Sequence, residues 1–224
     1  MSKKKKEPIT REQRIYRIRM VFAVIMIVSG LGIMSYPFVS SAVAQRNATV
    51  AIEDKRFFEH NGVDWLRTVA ASLNHVLRSE HRFGASTITQ QLIKNITGEN
   101  QNTVKRKVVE IYRALALEQE GYSKDEILTI YLNTIYLGNQ CYGVQTAADM
   151  YFDKDASELT LAECASLIGI TNNPSKYDPL GHLEVVDKET GEITTSRDFN
   201  KQRQELILRM MLEQKYITQE EYDA

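Results

Sequence analysis

The sequence predicts a mainly α-helical domain behind a single N-terminal transmembrane helix. Three observations carry this expectation: an uncharged stretch that follows a basic head, apolar residues that recur at helical spacing, and repeated helix-start signatures. Convincing strand patterns are scarce.

The basic head, "MSKKKKEPITREQRIYRIR", holds eight Lys/Arg and two acids and runs directly into "MVFAVIMIVSGLGIMSYPFVSSAVAQ". No charge occurs from Met20 to Gln45, which is enough to cross a bilayer as a helix of about 20 residues. Clustered Lys/Arg on the N-terminal side keep that end in the cytoplasm and place the remainder outside. A cleaved signal peptide is the alternative, because Ala42-Val43-Ala44 resembles a small-residue cleavage site. The apolar run is nonetheless longer than an h-region of about 7–15 residues. The expected organisation is a cytoplasmic tail over 1–19, an anchor over 20–39, a short linker over 40–47 and a folded domain over 48–224.

Within that domain, "DWLRTVAASLNHVLRSE" places Trp65, Val69, Leu73, Val76 and Leu77 at a helical period. "STITQQLIKN" reads as a short amphipathic helix with Ser86 as its N-cap. "NTVKRKVVEIYRALALEQE" is a longer helix that Gly121 halts, and another runs through "QRQELILRMML". Capping boxes stand at Ser123/Glu126, Thr160/Glu163 and Thr218/Glu221. The best strand candidate is a small hairpin around "EVVDKETGEITTS". "YLNTIYLG" reads as core packing with a polar clasp.

Composition narrows the function. The chain carries 28 Lys/Arg and 29 acids. With eight of those bases in the head, everything after Arg19 is net acidic, which argues against nucleic-acid binding by the domain. Two cysteines, Cys141 and Cys164, allow one bridge at most. Cys164 lies in the apolar pattern "LTLAECASLIGI" and reads as a buried thiol. No Cys/His spacing suits zinc.

Three stretches carry candidate chemistry. In "VAIEDKRFFEH", Glu53 and Asp54 follow an apolar lead-in. They read either as acids at a helix start, where the macrodipole favours them, or as catalytic carboxylates among apolar neighbours. In "RFGASTITQQLIKN", Gly84 and Ala85 leave the backbone accessible before a helix start whose free N–H groups suit an anion. Thr87, Gln91 and Lys94 are spaced to share one face of that helix. In "KRKVVEIYRALALE", Glu110 follows Arg106 by four residues and Lys107 by three. That spacing makes either a surface salt-bridge ladder or a carboxylate set among cations at a diphosphate site.

Taken in order with "KDEILTIYLNTIYLG" and "GVQTAADMYFDKDASELTLAECASLIGI", these stretches closely resemble the glycosyltransferase domain of class A penicillin-binding proteins and monofunctional peptidoglycan glycosyltransferases. The resemblance covers roughly Ala48 to Pro179 and implies a lysozyme-like helical fold. The substrates it implies are lipid II and the growing glycan strand, joined by β-1,4 links with inversion and release of the polyprenyl diphosphate. It assigns the general base to Glu53 and a second catalytic carboxylate, near the leaving group, to Glu110. Lys94, Arg106 and Lys107 fall on its cationic positions. Asp54, Phe57, His60, Ser86, Thr87, Gln90, Gln91 and Asn95 complete the substrate-binding set, with His60 and Asn133 more at home as structural hydrogen-bonders. No cofactor is required, and a divalent cation (Mg or Mn) at the diphosphate is left open. The implied location is a bacterial cell membrane, with cell-wall synthesis proteins as neighbours.

The sequence departs from the family's pattern by its short segment between anchor and first motif. It also lacks a transpeptidase set of S-x-x-K, S-D-N and K-T-G. The expectation is either a monofunctional enzyme or a transpeptidase domain beyond Ala224. Two rival functions remain: a muramidase-like enzyme that cleaves glycan, and a non-catalytic scaffold that binds lipid II.

Overall fold

The structure is a computed structural model that describes residues 40–76, 86–99, 101 and 103–224, with the backbone alone over 72–76. The basic tail, the expected anchor over 20–39 and the Gly84-Ala85 pair lie outside the described residues. Among the described residues no helix is long and apolar enough to cross a membrane.

Helix α1 occupies 40–53. Residues 40–47, expected as a linker, are therefore helical. Their polar side chains find buried partners: Ser41 Oγ and Gln45 Nε2 both donate to the Ala156 carbonyl at 2.6 Å. The second half of α1 turns Ala48, Val50 and Ala51 into the core. The acids of the first motif thus end a helix rather than begin one.

Helices α2 (Trp65–Val76), α3 (Ile88–Thr97), α4 (Val104–Gln119) and α5 (Lys124–Thr134) follow, with α3 packed on both α4 and α5. The cap of α3 is Thr87, not Ser86. Its hydroxyl accepts the Gln90 N–H at 3.2 Å while Gln90 Oε1 accepts the Thr87 N–H at 2.9 Å. This reciprocal box satisfies two backbone donors at once, whereas the Ser86 hydroxyl accepts from Lys107 Nζ at 2.8 Å. The expected boxes at Ser123, Thr160 and Thr218 all form. Gly121, at φ +96°, follows the end of α4 in a conformation that L side chains resist.

Helices α6 (Val144–Phe152) and α7 (Leu161–Gly169) complete the interior. From Cys164 to Gly169 every residue of α7 is buried, as its nearly all-round apolar sequence requires. Cys164 and Cys141 are both free thiols. A 3-10 turn, Ile170–Asn172, continues α7 toward the cleft described below. The predicted hairpin forms as β1 (Glu184–Val186) antiparallel to β2 (Ile193–Thr195), with Val185 opposite Thr194. It leads into α8 (Ser196–Glu213), which packs along α7, and then into α9 (Gln219–Asp223). Mainly helical architecture is the result, as the sequence predicts.

Candidate active site

Successive residues of a helix point about 100° apart, and the end of α1 uses that divergence. Glu53 faces a cleft of about 660 Å³, while Asp54 turns inward and is fully buried. The cleft is walled by α1, α3, α4, the segment after α5 and the turn after α7.

Both oxygens of Glu53 are held. Gln91 Nε2 donates to Oε2 at 2.8 Å, and Thr171 Oγ1 donates to Oε1 at 2.8 Å. The Gln91 amide is oriented in turn by Tyr131, whose hydroxyl donates to Gln91 Oε1 at 3.0 Å. Burial, reinforced by the nearby charges of Glu53 and Asp54, pushes the Tyr131 phenol well above its ordinary pKa. It therefore keeps its proton and stays a donor. Arg67 Nη1 donates to the Glu53 backbone carbonyl at 2.7 Å and adds a cation to the cleft.

Asp54 works behind the wall. Its Oδ2 accepts the backbone N–H of Ile88, the first residue of α3, at 3.0 Å. His60 Nε2 lies 3.1 Å from the same oxygen. A carboxylate against a helix N-terminus is favoured by the dipole there, so this contact fixes α3 against the end of α1. The alignment that brings Gln91 to Glu53 follows from it.

On α4, Glu110 is buried between Arg106 and Lys107, which both pair with it. Lys107 bridges to Ser86 at the start of α3. Lys94, in the last turn of α3, is exposed, and its ammonium group has no partner among the described residues. The i,i+4 pair of the third stretch thus lines the cleft, and neither it nor the i,i+3 pair with Lys107 is a surface ladder.

The structure brings Glu53, Ser86, Gln90, Gln91, Lys94, Asn95, Arg106 and Glu110 to one cleft. Lys107 stands directly behind Glu110. Four further residues of the expected substrate-binding set do not line it either. Asp54 is the buried clamp, and His60 is its partner. Phe57 is wholly in the core beneath the Lys124 ammonium, 4.5 Å from its ring centroid. Thr87 spends its hydroxyl on capping α3 and on the Gly62 carbonyl, 2.6 Å away. These four pack behind the cleft wall.

Sequence reasoning misses Arg67, Tyr131 and Thr171. Tyr131 lies within a stretch that reads as packing with a polar clasp, and its hydroxyl is part of that clasp. Thr171 lies 118 residues from its partner, and nothing local marks it. Among the described residues no group of three or more His, Cys, Asp or Glu is placed to hold a metal ion.

The arrangement is a fixed carboxylate and several cations in one open cleft, suited to proton removal beside an anionic leaving group. Comparison with known proteins gives the family. The family model described as Transglycosylase matches residues 34–212. Penicillin-binding protein 1A of Clostridium botulinum is 41% identical over 182 residues, covering 80% of this chain and 21% of that protein. Penicillin-binding protein 1A of Neisseria gonorrhoeae is 42% identical over 178 residues, covering 80% and 20%. The chain thus spans about a fifth of the length of these curated relatives. A crystal structure of Penicillin-Binding Protein 1A from Haemophilus influenzae aligns over 61% of this chain and 15% of its own, at 29% identity and a TM-score of 0.34. With four-fifths of its length inside the matched region and relatives above 40% identity, the chain belongs to the transglycosylase family.

Proposed function

We propose that this chain is the polymerising domain of a membrane-anchored peptidoglycan glycosyltransferase. It joins lipid II units into β-1,4-linked glycan strands with inversion and releases undecaprenyl diphosphate. The observation that carries the proposal is the Glu53 carboxylate, gripped at both oxygens in the same cleft as Lys94 and the Arg106–Glu110 pair. The motif resemblance further supports reading the helical architecture as lysozyme-like.

In this reading Glu53 takes the proton from the 4-hydroxyl of the acceptor sugar. The freed oxygen pair bonds to the anomeric carbon of the growing glycan. The bond from that carbon to the diphosphate breaks, and its electron pair leaves on the diphosphate oxygen. A sugar hydroxyl is a poor nucleophile, and a positioned base contributes about 10²–10⁴-fold. Lys94, together with the held cations Arg106 and Arg67, stabilises charge developing on the leaving group. Glu110 holds Arg106 and Lys107 in place, so that their charges are preorganised.

The exterior of α4 supports a membrane setting. Arg106 and Glu110 face the cleft, while Val104, Val108 and Tyr112 form a separate stripe at i, i+4 and i+8 with exposures of 82%, 59% and 72%. An apolar face this open suits the bilayer surface, where a polyprenyl substrate resides. The apolar run from Met20 and the basic head before it support an N-terminus in the cytoplasm and this domain outside a bacterial cell membrane. A muramidase also uses two carboxylates, but a neutral glycosidic bond gives no role to Lys94, Arg67 and the Glu110-braced cations.

The test uses the detergent-solubilised chain, fluorescent lipid II and a gel that separates glycan strands by length. Wild type is expected to make a ladder that muramidase collapses. Glu53→Gln is expected to lose at least about a hundredfold in rate with its helical circular dichroism intact. A ladder from Glu53→Gln refutes the base. Lipid II binding by a wild type that makes no ladder refutes polymerisation in favour of a scaffold.

A further inference from the structure

The turn that follows α7 carries a hydroxyl with two destinations for one proton. Thr171 Oγ1 lies 2.8 Å from Glu53 Oε1 and 2.8 Å from the Ile168 carbonyl. A threonine hydroxyl donates once and accepts through two lone pairs. It is carried on the turn just past α7, where Leu167, Ile168 and Ile170 are fully buried.

Resting on the polymerase reading above, we infer that Thr171 is a positioning residue that holds the Glu53 carboxylate for proton transfer and follows its change of charge. While Glu53 is ionised, the charge-assisted bond to Oε1 is the stronger of the two, so the hydroxyl faces the carboxylate. When Glu53 has taken the proton, that advantage is gone. The hydroxyl turns to the Ile168 carbonyl and offers a lone pair to the new carboxyl O–H. No polar group is stranded in either state, which matters because a stranded partner in a half-buried site is costly.

The other oxygen is handled differently. Gln91 presents an N–H to Oε2 and, with its own carbonyl engaged by Tyr131, has no reason to turn over. One side of the carboxylate is therefore a fixed donor and the other an adaptable hydroxyl. The plane of the carboxylate is set by both, and a misplaced base loses rate without losing substrate affinity.

The test compares kcat and KM for lipid II in wild type, Thr171→Val and Thr171→Ser. Valine has the same shape without the hydroxyl, and serine keeps the hydroxyl. Thr171→Val is expected to lose about tenfold or more in kcat, with KM unchanged and only a small drop in the thermal midpoint, and Thr171→Ser is expected to restore most of the rate. A valine variant at wild-type kcat, a serine variant as slow as valine, or a loss confined to KM overturns the inference. A second readout is independent of turnover: the carbon-13 resonance of the Glu53 carboxylate is expected to move in Thr171→Val and return in Thr171→Ser. If wild type makes no glycan, the polymerase reading fails. An unmoved Glu53 resonance overturns the role of Thr171 by itself.

Discussion

Replacing Asp54 by alanine tests whether the clamp between α1 and α3 organises the cleft. The substitution removes the acceptor of two buried donors, the Ile88 N–H at 3.0 Å and His60 Nε2 at 3.1 Å. Each donor left unpaired costs about 1–3 kcal/mol. The second nitrogen of His60, Nδ1, is already without a partner among the described residues, so the ring has no substitute contact. Taking a value near the middle for one donor and a low one for the other gives about 3 kcal/mol. In a domain of this size each kcal/mol moves the thermal midpoint by about 2–4 °C, so the expected drop is about 6–12 °C. Asp54→Asn, which keeps an oxygen for the Ile88 N–H, is expected to lose less than half as much. Thermal unfolding followed by circular dichroism reads both. A midpoint for Asp54→Ala within about 2 °C of wild type refutes the clamp. In that case the position of Gln91 over Glu53 is set by core packing alone.

Two further outcomes follow from burial and backbone shape. Gly62 sits at φ +80°, and a Cβ there meets the Ala114 carbonyl oxygen at 2.5 Å. Gly62→Ala combines left-handed strain with a clash against the α4 backbone, and a loss of about 3 kcal/mol is expected from urea unfolding. An unchanged urea midpoint refutes the close approach. Burial raises the Cys164 thiol to about 11 and holds the Tyr131 phenol well above its ordinary pKa. A group whose pKa is raised on folding stabilises the fold below its unfolded value and loses that contribution as pH climbs toward the folded one. Stability is therefore expected to fall between about pH 9 and 11, and the urea midpoint measured at pH 8 and pH 10.5 checks it.

The parts of the site legible in the sequence are those written in short-range spacing. Arg106, Lys107 and Glu110 meet because i,i+3 and i,i+4 neighbours on a helix meet in any context. Gln91 and Lys94 share a face of α3 for the same reason. Ser86 and Thr87 are interchangeable on propensity, and only the Gln90 side chain, three residues after Thr87, decides between them. The polar residues of 40–47 resemble a linker because their partners, Ala156 among them, lie more than 100 residues away. Thr171 is invisible on the same ground. Helix–turn–helix connections place distant hydroxyls through tertiary packing, and no periodicity encodes that.

The first motif shows where local reasoning fails for a reason. Acids are favoured at the start of a helix and disfavoured at its end, where the backbone carbonyls concentrate negative charge. Glu53 and Asp54 nevertheless close α1, with the Asp54 N–H still bonded to the Val50 carbonyl at 3.1 Å. Each acid is offset by a structure built around it. Asp54 takes the N-terminus of α3, whose dipole has the opposite sign, and so converts an unfavourable helix end into a junction between two helices. Glu53 takes Gln91 and Thr171, with the Arg67 cation on its backbone carbonyl. A chain that needed only a helix terminus has simpler residues for it, since glycine or asparagine ends a helix without charge. Violation of a local rule with such specific compensation is the mark of a functional site. The two adjacent acids therefore act in series, with Asp54 fixing the helices and the helices fixing Glu53.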